Sequence, residues 1–390
     1  MRALGVVLAV VLAGCSTAPT TFTPTPSPTR EPGMTLVTVL LDLSGPRAPS
    51  GVSQRNAMQL WIDQDQTRGQ RMRATFVDLA GSDARLLVEL RRAVEVERAD
   101  AVVIGAPIAF DATLAAALSV GGVPVLLTLP APEPRTLDGG GWAFALAPTH
   151  RDLARAVVAD ATDRGILQPT LLASDESPHA VAERLAIAWE LEKRGVVAPT
   201  VVAVTAQDAA ARLRGGASFA RAALFTGPAA TYVEATRSFA AAGLTPRVYL
   251  SYLMESSDAS ALREGAELAT WPGSRHVAAA ATTASPTPAR TGFLQTYTAR
   301  YGAPSTLAAT AYDALGLIDA AAASGGTGRE MLRERLEATT FAGIASRYSF
   351  APARHAGFDT SDLAFLRWVS GGRGGLAIAP DPAPAPKDER

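Results

Sequence analysis

Short apolar runs alternate with amphipathic stretches along most of the chain. Leu36-Val-Thr-Val-Leu-Leu-Asp42 is a short apolar run that ends in the turn signal Ser44-Gly45-Pro46, and it predicts a buried strand. Asn56, Ala57, Leu60 and Trp61 then follow at helical spacing. Arg73–Asp78 predicts the next strand, and Ser82–Glu97 a helix with an apolar stripe of Leu86, Leu87, Leu90, Ala93 and Val94. Ala101–Gly105 and Val123–Thr128 are two further buried strands with a helical stretch between them. The pattern restarts at Pro169–Ser174, which leads into a helix over His179–Arg194 that Gly195 can close. Val201–Val204, Ala222–Thr226 and Arg247–Ser251 predict strands, with helices expected near Gln207–Leu213 and Tyr232–Ala242. Strands alternating with helices predict two successive α/β units, each a parallel sheet covered on both faces. Two such open sheets facing each other place their strand ends at a shared cleft, where ligands bind in folds of this kind.

The ends of the chain depart from this pattern. Arg2 precedes an 11-residue small-and-apolar run, Ala3–Ala13, whereas a spanning helix needs about 20 residues. A positive residue, a short apolar core and small residues before a cleavage point are the marks of a secretory signal. Leu12-Ala-Gly-Cys15 resembles a bacterial lipobox, which implies cleavage before Cys15 and lipid on its sulfur and new amino group. Cys15 is the only cysteine, so the chain has no intrachain disulfide framework and no Cys-rich zinc site. In Ser16–Gly33, Thr and Pro supply 11 of 18 residues, too little apolar surface to fold, and the stretch reads as an extended tether. The expected layout at the ends is therefore a signal peptide over 1–14, a lipidated cysteine and tether over 15–33, and a disordered tail over 376–390.

Composition narrows the function classes. The 390 residues are 48% hydrophobic and 19% charged, in the globular range, and a formal charge of -1 gives no basic footprint for nucleic acid. His150, His179, His276 and His355 are far apart and make no close metal-binding pair. No Gly-x-Ser-x-Gly elbow, P-loop or His-Glu-x-x-His motif is present, and Gly371–Gly375 lacks the Lys-Ser/Thr of a phosphate loop. Ser174, Asp175 and His179 lie close together, but a strand-to-helix loop supplies such residues for capping. The chain is expected to be no enzyme and to need no cofactor or metal.

The order of motifs resembles the type I periplasmic binding proteins, specifically the leucine/isoleucine/valine-binding receptors of ABC transporters. Leu41-Asp-Leu-Ser-Gly-Pro-Arg47 through Gln54–Leu60 is similar to that family's first strand, loop and helix. Asp100–Gly105 and Gly121–Leu126 match its third and fourth strands, and Trp142–Thr149 its crossing into the second lobe. Phe293, Tyr297, Tyr301-Gly302 and Ala311–Ala314 echo its late helix pair, and Phe341–Gly343 with Tyr348–Phe350 its closing segment. The similarity runs from about Thr35 to Gly371. It implies a two-lobed α/β fold with hinge crossings near 146–150, 271–275 and 339–343. One lobe would be 34–148 plus 273–340, and the other 149–272 plus 341–372.

By that resemblance, a ligand would contact the loops that follow the strands. The positions are Ser44 and Arg47 in the first loop, Phe110 and Asp111 after the third strand, and Pro130 after the fourth. From the second lobe come Asp175, Glu176, Thr226, Ser251 and Tyr252. Two readings stand for the acids: contact with a ligand ammonium, or residence at a helix N-terminus favoured by the dipole. Thr128-Leu-Pro-Ala-Pro132 departs from the family's hydroxyl-rich loop, and a zwitterion needs fixed donors and acceptors to leave water. The resemblance implies an extracytoplasmic, lipid-anchored receptor that takes a small ligand, an amino acid or related compound, to an ABC permease. Membrane contact would be through the lipid alone. The alternative is an envelope lipoprotein that uses the same fold to bind a protein partner, as penicillin-binding-protein activators do, with little or no small-ligand binding.

Overall fold

The computed structural model describes residues 33–66, 71–138, 141–163, 170–173, 176–196, 201–203, 222–226, 247–253, 274–278, 286–302, 304–325, 328–370 and 376–380. Cys15, residues 16–32 of the tether, Asp175 and the helices expected near 207–213 and 232–242 lie outside these residues.

The first sheet holds β1 (Thr35–Leu41), β2 (Met72–Asp78), β3 (Ala101–Gly105), β4 (Val125–Leu127) and β5 (Ala143–Ala145), all parallel, in the order β2-β1-β3-β4-β5. Successive side chains of a strand point to opposite faces, so β1 feeds two cores. Val37, Val39 and Leu41 face a core completed by Met58 and Trp61 of α1 (Ala48–Gln66) and by Leu315 and Ile318 further along the chain. Leu40 faces the other core, with Leu86 and Leu90 of α2 (Asp83–Glu95) and Leu114 and Leu118 of α3 (Ala112–Gly121). Burial on both faces is why these strands read as continuous apolar runs. Each fully buried Val or Leu contributes about 1.5–3 kcal/mol. Gly51 lets α1 lie directly on the end of β1, since an added Cβ would overlap the Asp42 carbonyl oxygen.

A short helix α4 (Pro134–Asp138) leads to β5, and α5 (His150–Asp163) begins the second lobe. That lobe holds β6 (Thr170–Ala173), α6 (Pro178–Lys193), β7 (Val201–Ala203), β8 (Ala222–Thr226), β9 (Arg247–Leu250) and β10 (Ser274–Ala278). Ser177 caps α6, its side chain accepting from the Ala180 N–H, and Pro178 occupies the first turn, where its missing N–H costs nothing. Gly195, at φ 73°, follows the helix as the sequence suggested. Leu153, Val157, Ile187 and Leu191 of α5 and α6 pack on Leu171, Leu224 and Tyr249 of the sheet.

The chain then returns through α7 (Pro288–Tyr301), α8 (Thr306–Ala323) and α9 (Arg329–Ala338), followed by the hairpin β11 (Thr340–Ala342) and β12 (Arg347–Ser349). Two last strands, β13 (Ala364–Ser370) and β14 (Leu376–Pro380), complete the second sheet, of order β14-β13-β10-β9-β8-β6-β7.

Four expectations need correction. The second sheet is mixed rather than parallel, because β13 pairs antiparallel with both β10 and β14. β10 hydrogen-bonds to β9 in that sheet, so 274–278 belongs to the second lobe and the second crossing lies beyond 271–275. Residues 341–358 stay with the first lobe: Tyr348, Phe350 and Phe358 join its core, and the Ala145 and Gly357 backbones pair. The third crossing therefore falls between Phe358 and β13, where Leu363 packs on the cores of both lobes. Finally, 376–380 is an edge strand and not part of a disordered tail.

Candidate functional site

Asp42 and Asp78, at the ends of β1 and β2, organise the first loop. Asp78 accepts from the backbone N–H groups of Leu43 (2.8 Å), Ser44 (3.2 Å) and Ala80 (2.8 Å) and from the Ser44 hydroxyl (2.6 Å). Ser44 is thereby held as part of the loop's own scaffold. Asp42 accepts from the Gly81 N–H (2.7 Å) and forms an ion pair with Arg47 Nε at 2.8 Å. Burial pushes the Asp42 carboxyl up from its ordinary range, against the pull of Arg47.

Arg47 continues across the cleft. One guanidinium nitrogen lies 3.7 Å from Asp83 at the start of α2, and the other 3.4 Å from Nε2 of His179 in α6. His179 Nε2 is also 3.4 Å from Asp83 Oδ2. The first lobe thus touches the second through Arg47 and Asp83 on one side and His179 on the other. The His179 hydrogen bond, with Arg47 adding to it and burial opposing, lowers the Asp83 pKa. His179 Nδ1 is buried and has no hydrogen-bond partner among the described residues.

Beside this junction lies a cavity of about 300 Å³. The first lobe supplies Asp83, Leu86 and Leu87 from α2, the Pro107–Phe110 loop, and the start of α3; the second lobe supplies Pro178 and His179. Its size and mostly apolar lining with a few polar groups are those of a small-molecule site. Leu87, expected in the buried stripe of α2, is half-buried and opens onto this space.

Of the positions expected from sequence, Phe110 and Asp111 line the cavity, and Arg47 contacts two of its lining residues. Asp111 is also the N-cap of α3: its Oδ1 accepts from the N–H groups of Thr113 and Leu114, both at 2.8 Å. The helix-terminus reading therefore describes Asp111, and it does so with one oxygen. Glu176 is exposed and engaged bidentately by Arg184 at 3.2 and 2.9 Å, away from the cavity. Pro130 is buried, and its carbonyl accepts from the His150 ring. Thr226 is fully buried at the end of β8.

Ser251 and Tyr252 belong to a second, buried polar cluster where β9 ends. The Ser251 hydroxyl donates to Glu183 Oε2 at 2.5 Å and accepts from the Leu253 N–H at 3.0 Å. The Tyr252 hydroxyl meets His150 Nε2 at 3.2 Å. Burial raises the Tyr252 pKa well above its ordinary value, with the Glu183 charge adding to it.

Sequence reasoning missed Asp83, Leu86, Leu87, Pro178 and His179 as cleft residues. The signal available was positional: Ser82-Asp83 and Ser177-Pro178 open helices that follow strands, so their first turns lie at the strand ends that face the cleft. No group of acidic, His or Cys side chains suited to a metal occurs among the described residues, and none of their helices is long and apolar enough to cross a membrane.

Two α/β lobes joined by several crossings, with a cavity walled by both, define a bilobal binding protein. The periplasmic binding protein family model matches residues 37–373, and the chain belongs to that family. Among solved structures, the leucine-binding protein LivK of Thermotoga maritima is 17% identical with a TM-score of 0.70, covering 89% of this chain and 98% of that one. The substrate-binding protein LivJ of Streptococcus pneumoniae, in complex with isoleucine, is 19% identical with a TM-score of 0.70, covering 89% and 99%. A solute-binding protein of an ABC transporter from R. palustris, in complex with benzoate, is 16% identical with a TM-score of 0.69, covering 89% and 96%. At these identities the likeness is one of fold. A comparison with curated protein sequences gave no match.

Proposed function

We propose that the protein is a lipid-anchored extracytoplasmic receptor, not an enzyme, that binds a small molecule between its lobes and delivers it to an ABC permease. The observation that carries this reading is the cavity walled by α2 and α3 of the first lobe and by Pro178 and His179 of the second. A ligand touching both walls favours the closed arrangement by as much as its contacts differ between open and closed forms. The isoleucine and benzoate complexes of proteins with this fold support small-molecule binding as its use here. Thermal unfolding of the mature chain against amino acids, amines, carboxylates and purines tests the reading. A ligand at 100 times its dissociation constant stabilises by about 2.7 kcal/mol if it binds only the native state. A saturable shift from one chemical class is the expected result; none from a well-folded sample overturns the reading. Cys15→Ser is expected to release the protein from the membrane fraction, and unchanged recovery there rejects the anchor.

One observation favours a second reading, in which the fold serves a protein partner. The Thr128 hydroxyl, the main donor of the loop after β4, is buried and already bonded to Gln54 Oε1 at 2.6 Å. Recovery of cell-wall synthesis proteins in place of permease subunits from the native membrane would favour that reading.

A further inference from the structure

The chemistry of the cavity specifies a ligand class, an inference that rests on the receptor reading above. Its floor is Leu86, Ile108 and Leu114, which retain 5%, 3% and 7% exposure, so most of any occupant meets aliphatic carbon. Its ionisable lining is Asp83, Asp111 and His179, and among the described residues no Lys or Arg lines it. Asp83 is engaged by both Arg47 and His179, which leaves Asp111 as the carboxylate open to an occupant. Arg47, beside the cavity, is engaged with Asp42 and Asp83. The N-termini of α2 and α3 add about half a positive charge each, offsetting only part of the two carboxylates. Both are already capped, by the Ser82 hydroxyl bonded to the Arg85 N–H and by Asp111 bonded to the Thr113 and Leu114 N–H groups. A ligand carboxylate would thus face the Asp111 carboxylate and find those amides occupied.

A cation meets the opposite situation. Asp111 uses Oδ1 for both backbone N–H groups, and its Oδ2 has no partner among the described residues; the side chain is exposed. Phe110, adjacent at the rim, leaves 63% of its surface exposed, which offers a ring face to a cation. The asymmetry between the two oxygens gives one carboxylate two tasks, holding the helix and presenting charge to the cavity. We propose that the cleft takes a small amphiphilic cation, a primary or secondary amine on an aliphatic or aromatic body and without a carboxylate. The ammonium lies against Asp111 Oδ2 and the Phe110 ring, and the body lies on Leu86, Ile108 and Leu114.

The test compares molecules that share a body and differ in the head. Phenethylamine, phenylalanine and 3-phenylpropionate form one series; isoamylamine, leucine and isovalerate form the other. Binding to the full mature chain is measured by calorimetry and thermal shift at neutral pH. The amines are expected to bind saturably, at least about tenfold more tightly than the amino acids, with no binding by the acids. Asp111→Asn keeps a good N-cap acceptor and removes the charge, so it should leave the unliganded melting temperature in place while weakening the amines about tenfold. Tighter binding by an acid or an amino acid overturns the ligand class and leaves the receptor reading standing. So does binding by some other class alone in the wider metabolite set. Amine binding indifferent to both Asp111→Asn and Phe110→Ala overturns the placement of the head. Silence from both series and from the wider set overturns the ligand class and the receptor reading together.

Discussion

His150 gives the most direct test of how the junction between the lobes is held. It opens α5 just past the first crossing, with its ring against the Pro130 carbonyl from the first lobe and the Tyr252 hydroxyl from the second. Burial, with the His179 charge second, pushes its pKa down from 6.5 to about 3, against the pull of the Pro130 carbonyl. The folded protein therefore keeps this ring neutral while the unfolded chain protonates it below pH 6.5. The unfolded state binds the extra proton between those two values, so stability rises with pH across that window and is flat above it. The contribution is fully present above pH 6.5 and is lost as the pH falls towards 3. At about 1.4 kcal/mol per pH unit, the two units from 6.5 to 4.5 are worth roughly 3 kcal/mol. His150→Gln keeps both a donor and an acceptor at this position without titrating. Urea unfolding midpoints from pH 8 to 4.5 should show the wild type losing roughly 3 kcal/mol more than the variant. Parallel curves for the two proteins would refute the buried neutral imidazole.

Asp313 of α8 should show a slope of the opposite sign. Its carboxylate accepts from the Ile344 N–H (2.6 Å), the Ala345 N–H (2.7 Å) and the Tyr348 hydroxyl (2.9 Å), fastening the β11–β12 turn to the first lobe. Burial outweighs those donors and holds its pKa up at about 7 from 3.8, so this group's contribution is full below pH 3.8 and is lost as the pH rises through 7. Asp313→Asn should remove that slope and cost about 1–3 kcal/mol for the donor it leaves unpaired, read from denaturant midpoints. Gly51→Ala should destabilise by about 2–3 kcal/mol through overpacking against the Asp42 backbone, measured by thermal unfolding. His179→Ala removes the contacts to Asp83 and Arg47 across the cleft. Because Asp83 is half-exposed, it should shift the ligand-free lobes towards opening by no more than about 1 kcal/mol, seen as a small rise in radius of gyration by X-ray scattering.

Where local pattern and tertiary environment agree, the chain could be read directly. β1, β3 and β4 are buried on both faces and so appear as short, mostly apolar runs. The misreadings share a different origin. Leu376-Ala-Ile-Ala-Pro380 looks like the start of a Pro/Ala tail, and it becomes a strand only because β13 offers an edge in register. Nothing within Ser274–Ala278 distinguishes one sheet from the other; its partner β9 decides. Tyr348, Phe350 and Phe358 are apolar enough for either lobe, and the three bonds to Asp313 anchor the turn beside them to the first. The cleft is harder still to read, because its chemistry uses residues that local structure already explains. Leu86 and Leu114 fit ordinary helix stripes, and Asp111 fits an ordinary N-cap. For Asp111, capping and ligand contact were posed as alternatives, yet a carboxylate has two oxygens and α3 takes only one. A local role accounts for a residue type without exhausting its acceptors, so a cap at the mouth of a cavity is where the count of partners per atom carries information that spacing cannot.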